Sequence, residues 1–166
     1  SLVLIPWFVP LTVSGAIWKW VLSGETGIIN SYLLGLGVLE KAIPWLTSSR
    51  LAIYSLTLAN IWLGIPFNFV MLFTGLQAIP TELYECARVD GANERQIVRY
   101  ITLPLLKPVA VITILLGTIY TIKVFDLVWV VTGGGPGGAS HLFTTLAYYL
   151  AFTRFRFGQS AAVGIL

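Results

Sequence analysis

Residues 82–107 carry Glu82, Glu85, Arg88, Asp90, Glu94, Arg95, Arg99 and Lys107, eight of the seventeen formal charges (ten basic, seven acidic) of a 166-residue chain. Carboxylates and guanidinium groups at this density suit charge-assisted hydrogen bonding to a soluble partner. Elsewhere reactive groups are sparse. Cys86 is the only cysteine, so it forms no internal disulfide; it has no metal-spaced companions and reads as a small packing residue. His141, the only histidine, reads as a surface residue beside a glycine run. That run, Thr132-Gly133-Gly134-Gly135-Pro136-Gly137-Gly138, lacks the Lys-Ser/Thr that follows in a phosphate-binding loop. Lys123 and Asp126, three apart, are spaced to pair on one helix face, as an interfacial ion pair or as transport-path residues. With no paired carboxylates, nucleophile triad or metal cluster, the chain is expected to be no enzyme and to need no metal or cofactor.

The elements that must hold the charged island are apolar. With 57% hydrophobic and 10% charged residues and a mean hydropathy of +0.85, the chain lacks the roughly one-quarter charged content of soluble domains. The bilayer is its expected solvent. No charged residue occurs in 1–18, 51–81 or 108–122, and crossing takes about 20 apolar residues as a helix. Spans are predicted at about 1–22, 51–76 and 105–131, with a last one from near Gly158 cut off at residue 166. The predicted fold is therefore all-α, a polytopic transmembrane helix bundle. Pro6 and Pro10 kink the first span, and Gly64 with Pro66 interrupts the second, as neighbouring helices permit. Residues 23–50, rich in Gly, Asn, Pro and Ser and flanked by Trp18, Trp20 and Trp45, read as a loop at headgroup depth. Residues 140–157, aromatic and ending in Arg154 and Arg156, suit a helix at the interface.

Met71 is the only methionine and the chain opens on an apolar run without a basic leader, so a fragment without a signal peptide is expected. A net charge of +3 and a pI near 9.2 would suit nucleic acid in a soluble protein, but no basic-aromatic patch exists and nucleic acid is set aside. The positive-inside rule does not orient the chain: Arg88, Arg95, Arg99 and Lys107 face five basic residues expected on the other side.

Within the island, Pro80 suits a first helical position, Glu82 and Glu85 complement the helix dipole, and Asp90-Gly91 stops the helix. Asn93 and Gln96 are spaced as a capping box for a second short helix that Pro104 keeps from continuing unbroken. The product is a helix-turn-helix lying against the membrane. Glu85, Cys86, Ala87, Asp90, Gly91, Ile101, Leu103 and Pro104 fill a pattern that resembles the EAA loop of ABC importer permeases, with cysteine in place of the usual alanine at its second position. The resemblance implies that residues 80–104 are a cytoplasmic coupling loop seated on ATPase subunits, with the loops at 23–50 and 132–157 outside.

Three further stretches resemble the carbohydrate importers, in particular the maltose-type first subunit: Pro6-Trp7-Phe8-Val9-Pro10, Trp62-Leu63-Gly64-Ile65-Pro66-Phe67, and Phe125-Asp126 with the glycine run. The chain thus resembles a partial MetI/MalF-like importer permease core without its earlier spans. The resemblance implies a multi-pass subunit of a bacterial-type inner membrane. Its partners would be a second permease subunit, two ATP-binding subunits and an extracytoplasmic solute-binding protein, with a sugar or oligosaccharide as substrate. Aligned by motif, Trp7, Leu11, Asn60, Leu63, Phe67, Gly117, Tyr120, Thr121 and Val124 fall at path-lining positions. Leu11, Gly117 and Val124 are smaller or less polar than in the maltose type, so the sugar need not be the same. Asn60 and Thr121 weigh most, because a polar group is costly against lipid. The alternatives are a glycerol-3-phosphate-type or other non-sugar solute, an ion-coupled secondary transporter and a membrane enzyme. A secondary transporter would carry an inverted repeat and acidic residues within its spans, and, Lys123 and Asp126 apart, the sequence shows neither.

Overall fold

The computed structural model describes residues 2–165 as helices with short connections, and no strand occurs among them. Ser1 and Leu166, the outer ends of the first and last expected spans, lie outside the described residues. The expected first span is not one helix. A 3-10 turn at Leu2–Leu4 leads into α1 (Ile5–Phe8), the chain extends at Val9 with ψ 123°, and α2 (Leu11–Val21) follows. Pro10 explains the break: its ring disfavours helical geometry at Val9, and its carbonyl accepts from the Ser14 N–H at 2.9 Å to start α2.

Residues 23–50 are not wholly loop, since they contain α3 (Ile28–Gly35). Asn30, fully buried, ties this region together. Its Nδ2 donates to the carbonyls of Gly24 and Ile43 at 2.9 Å each, while its Oδ1 accepts from the Ile43 N–H at 3.2 Å and the Trp45 Nε1–H at 3.0 Å. One amide thereby satisfies backbone groups that sheet pairing or water would otherwise have to satisfy.

The second expected span is α4 (Leu51–Gln77), and neither Gly64 nor Pro66 interrupts it. Pro66 offers no N–H to the Trp62 carbonyl one turn back, yet the helix runs on through it with the ring fully buried; separately, the Asn68 Nδ2 donates to the Gly64 carbonyl at 2.8 Å. Then come α5 (Thr81–Val89), with Pro80 just outside it rather than at its first position, α6 (Glu94–Ile97), a π turn (Val98–Thr102) and α7 (Leu103–Ile122). The last three form one helix, Glu94–Ile122. Pro104 therefore does not stop the second short helix. The π turn bonds the Leu103 N–H to the Val98 carbonyl, and Pro104 comes just after it, where the widened turn lets the helix pass a residue without a donor.

The helix that holds this expected span runs from Glu94 to Ile122, so it begins before 105 and ends short of 131. The chain turns at Lys123–Phe125 before α8 (Asp126–Val131), and the Thr144 Oγ1 caps the Val124 carbonyl at 2.9 Å. After the glycine run come α9 (Phe143–Tyr148), a second π turn (Tyr149–Thr153) and α10 (Phe157–Ile165).

Of these, α4 and Glu94–Ile122, at 27 and 29 residues, are long and apolar enough to cross a membrane. At about 1.5 Å per residue each exceeds a hydrocarbon core of roughly 30 Å. Only 17% and 6% of their apolar windows are buried, which separates them from core helices of a soluble protein. The core joins Leu56 and Ala59 of α4 to Leu127, Val128 and Val131 of α8, with Trp18 and Leu63 packed on it. Glycines let the helices meet: a Cβ at Gly15 of α2 would stand 3.1 Å from Val130 of α8, and one at Gly75 of α4 would stand 2.9 Å from Leu106 of α7.

Asn30→Leu should strand the Ile43 and Trp45 donors and cost about 2–4 kcal/mol. Thermal unfolding in detergent and protease cutting near Ile43 measure it; an unchanged midpoint would show that the latch is dispensable.

Candidate functional site

A cavity of about 1260 Å³ lies between α1, α4 and α7. Small-ligand pockets run to about 300–1,000 Å³, so this one has room for more than one sugar ring. All nine residues placed by motif line it: Trp7, Leu11, Asn60, Leu63, Phe67, Gly117, Tyr120, Thr121 and Val124. They converge because α4 presents Asn60, Leu63 and Phe67 at helical spacing, α7 presents Gly117, Tyr120 and Thr121, and the break at Val9-Pro10 turns Trp7 and Leu11 onto the same space.

Two contacts cross from α4 to α7. The Asn60 Nδ2 donates to the Thr121 Oγ1 at 3.2 Å, and the Phe67 and Tyr120 rings meet edge to face with centroids 5.8 Å apart. The walls are otherwise mostly apolar. Motif matching missed Asn68, Thr113 and Thr118, which also line the cavity. Asn68 had a signal: it lies two turns beyond Asn60 and four residues beyond Gly64, on the same helix face. Lys123 and Asp126 line the cavity too, but the bend at Lys123–Phe125 separates them, and among the described residues they make no ion pair.

The charged island forms a second candidate site. Glu85, Cys86 and Asp90 are exposed on α5 and its end, as are Gly91 in the turn and Leu103 and Pro104 at the start of α7, while Ala87 and Ile101 are half-buried. Gly91 has φ +78°, a conformation that favours glycine. It closes α5 with the bonds of a Schellman motif, Ala92 N–H to the Ala87 carbonyl at 2.9 Å and Gly91 N–H to the Arg88 carbonyl at 3.0 Å. Asn93 and Gln96 form the predicted capping box, at 3.0 and 2.8 Å. Arg88 and Glu94 pair at 3.5 Å with side chains 60% and 77% exposed, so the pair adds little stability. The hydroxyls of Tyr84 and Thr102, 3.4 Å apart, tie α5 to the π turn, a link without a motif to announce it.

A family model described as binding-protein-dependent transport system inner membrane component matches residues 1–166. The chain belongs to that family. A trehalose/maltose transport system permease protein, MalF, of Thermococcus litoralis is 41% identical over 169 residues, which cover 100% of this chain and 55% of that protein. A sulfoquinovosyl glycerol transport system permease protein, SmoG, of Agrobacterium fabrum is 39% identical over 165 residues, 96% of this chain and 52% of the relative. Among solved structures, a bacterial ABC transporter involved in the import of the acidic polysaccharide alginate matches with a TM-score of 0.85 at 25% identity, over 98% of this chain and 57% of that one. The same TM-score is found for an alginate ABC transporter in complex with an alginate pentasaccharide-bound periplasmic protein. This permease-family chain spans little more than half the length of the curated relatives it matches.

At the end of α7 remote from the charged island, the glycine run of this permease-family chain folds onto its own side chains. Ser140, fully buried, donates to the Gly135 carbonyl, and its hydroxyl lies 2.8 Å from that of Thr132. Gly134 has φ +85°, and a Cβ there would clash with the His141 ring. His141, whose Nδ1 is 3.3 Å from the Thr145 hydroxyl, is thus half-buried packing rather than a surface group. Burial holds its pKa below the ordinary value of about 6.5. The unfolded chain then binds more protons, so this contribution to stability is complete above about pH 6.5 and is lost as pH falls below it. Thermal midpoints between pH 7.5 and 5 should fall for the native chain, and His141→Gln should flatten that dependence; parallel curves would remove His141 from it.

Proposed function

We propose that the chain is the core of a multi-pass inner-membrane permease subunit of an ATP-driven importer, and that its substrate is a sugar or oligosaccharide. The observation that carries this reading is the gathering of all nine motif-placed residues around one cavity between the helices. An apolar, aromatic wall with few polar groups suits a carbohydrate, whose C–H faces stack on Phe67, Tyr120 and Trp7 while Asn60, Asn68 and Thr121 meet its hydroxyls. The relatives named for trehalose/maltose and for sulfoquinovosyl glycerol, and the structural match to an alginate importer, support the substrate class.

ATP hydrolysis belongs to two separate ATP-binding subunits, which the exposed α5 and Gly91 turn would contact. A second permease subunit completes the path, and an extracytoplasmic binding protein delivers the sugar, as in the complex with a sugar-loaded periplasmic protein that this chain resembles in fold. The charged island then faces the cytoplasm, and the Asn30 loop and glycine run face outward. Because α7 joins the island to the cavity as one helix, movement imposed on α5 would reach Tyr120 and Thr121 along a continuous rod.

The test is the full-length complex in lipid with a panel of sugar-loaded binding proteins, read as stimulated ATPase rate and uptake. One loaded protein should stimulate both. Gly91→Asp should abolish uptake and stimulation while the permease stays in the membrane at normal level. Asn60→Leu should raise the half-saturating sugar concentration about tenfold and leave unstimulated hydrolysis unchanged. Normal uptake by Gly91→Asp would sink the coupling role of the turn; failure of the chain to bind any ATPase subunit would sink the importer reading.

A further inference from the structure

We propose that Phe125, Trp129, Tyr148 and Phe152 form a carbohydrate-stacking subsite that extends the cavity at the end remote from the charged island. The inference rests on the sugar-import reading. Phe125 belongs to the cavity wall. From it the rings continue outward: Phe125 stacks on Trp129 with centroids 5.6 Å apart and planes 15° apart, and Tyr148 stands edge-on to both at 5.3 and 4.8 Å. Phe152 follows 4.9 Å beyond Tyr148. Exposure grows along this series, from the half-buried Phe125 and Trp129 to Tyr148 at 39% and Phe152 at 63%. The series is a ladder leading from the cavity wall towards solvent, at ring-to-ring intervals suited to successive units of a linear saccharide.

The polar edges of the ladder agree with this ligand. Among the described residues the Trp129 Nε1–H makes no hydrogen bond and is not sealed from solvent, and the hydroxyl of the exposed Tyr148 makes none either. The neighbouring Tyr149 hydroxyl is instead occupied, accepting from the Arg154 Nε at 2.8 Å. A sugar ring offers an apolar C–H face and hydroxyl edges, and therefore matches an aromatic face flanked by unoccupied donors. Interfacial tryptophan and tyrosine also present such edges to lipid headgroups, but a lipid belt has no reason to run without a gap into a cavity wall. The backbone supports the arrangement: the bend at Lys123–Phe125 turns α8 towards α9, and the π turn at Tyr149–Thr153 follows Tyr148 directly.

The experiment uses the full-length permease with its partner subunits in nanodiscs, and the emission of Trp129 is taken as the difference between the native chain and Trp129→Phe. The probes are neutral glucan and acidic uronate oligosaccharides of one to five units. In one series, Trp129 emission should shift saturably and affinity should rise with chain length. Trp129→Leu with Tyr148→Leu in the native background should weaken binding of the longest member about tenfold and leave that of the shortest unchanged. Phe152→Ala, at the exposed end, should give a smaller loss of the same length dependence without threatening the fold. Quenching of Trp129 by lipids brominated in their acyl chains, with no response to any sugar, would overturn the subsite, as would equal affinities for all lengths in every variant. If the unaltered complex neither binds nor transports any of the sugars, the import reading itself fails, and the subsite with it.

Discussion

A peptide group without a partner in hydrocarbon costs several kcal/mol, and this chain carries eight prolines, each lacking a donor. The architecture follows from how those gaps are closed. Pro10 starts a helix, where its carbonyl is useful and its missing N–H is not missed. Pro66 instead stays inside the continuous α4, fully buried. Pro104 is placed at the start of α7 by the π turn before it. Where α7 ends, a threonine from the next element supplies the donor that the Val124 carbonyl needs. Helix ends and breaks are therefore found where a side chain or a change of helix type closes the backbone.

The same constraint sorts the polar side chains. Thr57, Thr113 and Thr118 each donate to the carbonyl four residues back at 2.8 Å, so their hydroxyls are satisfied within their own helix. Asn60 is different, because its amide reaches across the cavity to Thr121. In a chain this apolar, a polar pair that bridges two helices long enough to cross a bilayer satisfies both partners where lipid would leave them unpaired. Asn30 solves the corresponding problem outside the spans, where it replaces a network of backbone pairs with one amide.

Much of this was legible in the sequence where the signal is local. The Asn93–Gln96 capping box and the stop at Gly91 depend on residues within a few positions of each other, and the structure contains both. The cavity residues were placed by motif, and helical spacing brings them to one face. Signals that need distant partners were not legible. The local signal at 28–35 is that of a loop, because the anchor of α3, Asn30, bonds to residues 13 and 15 positions away. The spacing of Lys123 and Asp126 is that of one helix, because nothing nearby announces the bend, which is held by Thr144, 20 residues from the carbonyl it caps. Pro104 reads as a stop, because a π turn has no sequence signature of its own.

The π turn at Val98–Thr102 also sets an angle. Each residue of an α-helix advances the chain by about 100° around its axis, and a π turn holds one more residue than an α turn. The side of the helix that bears Arg95 and Arg99 and the side that bears Gly117, Tyr120 and Thr121 are thus offset by that extra step. Drawing the same residues into uniform α geometry would instead rotate one end against the other by about one such step. The spacing between island and cavity is consequently counted in degrees as well as in ångströms, and a change that preserves length, composition and hydropathy would still misalign them.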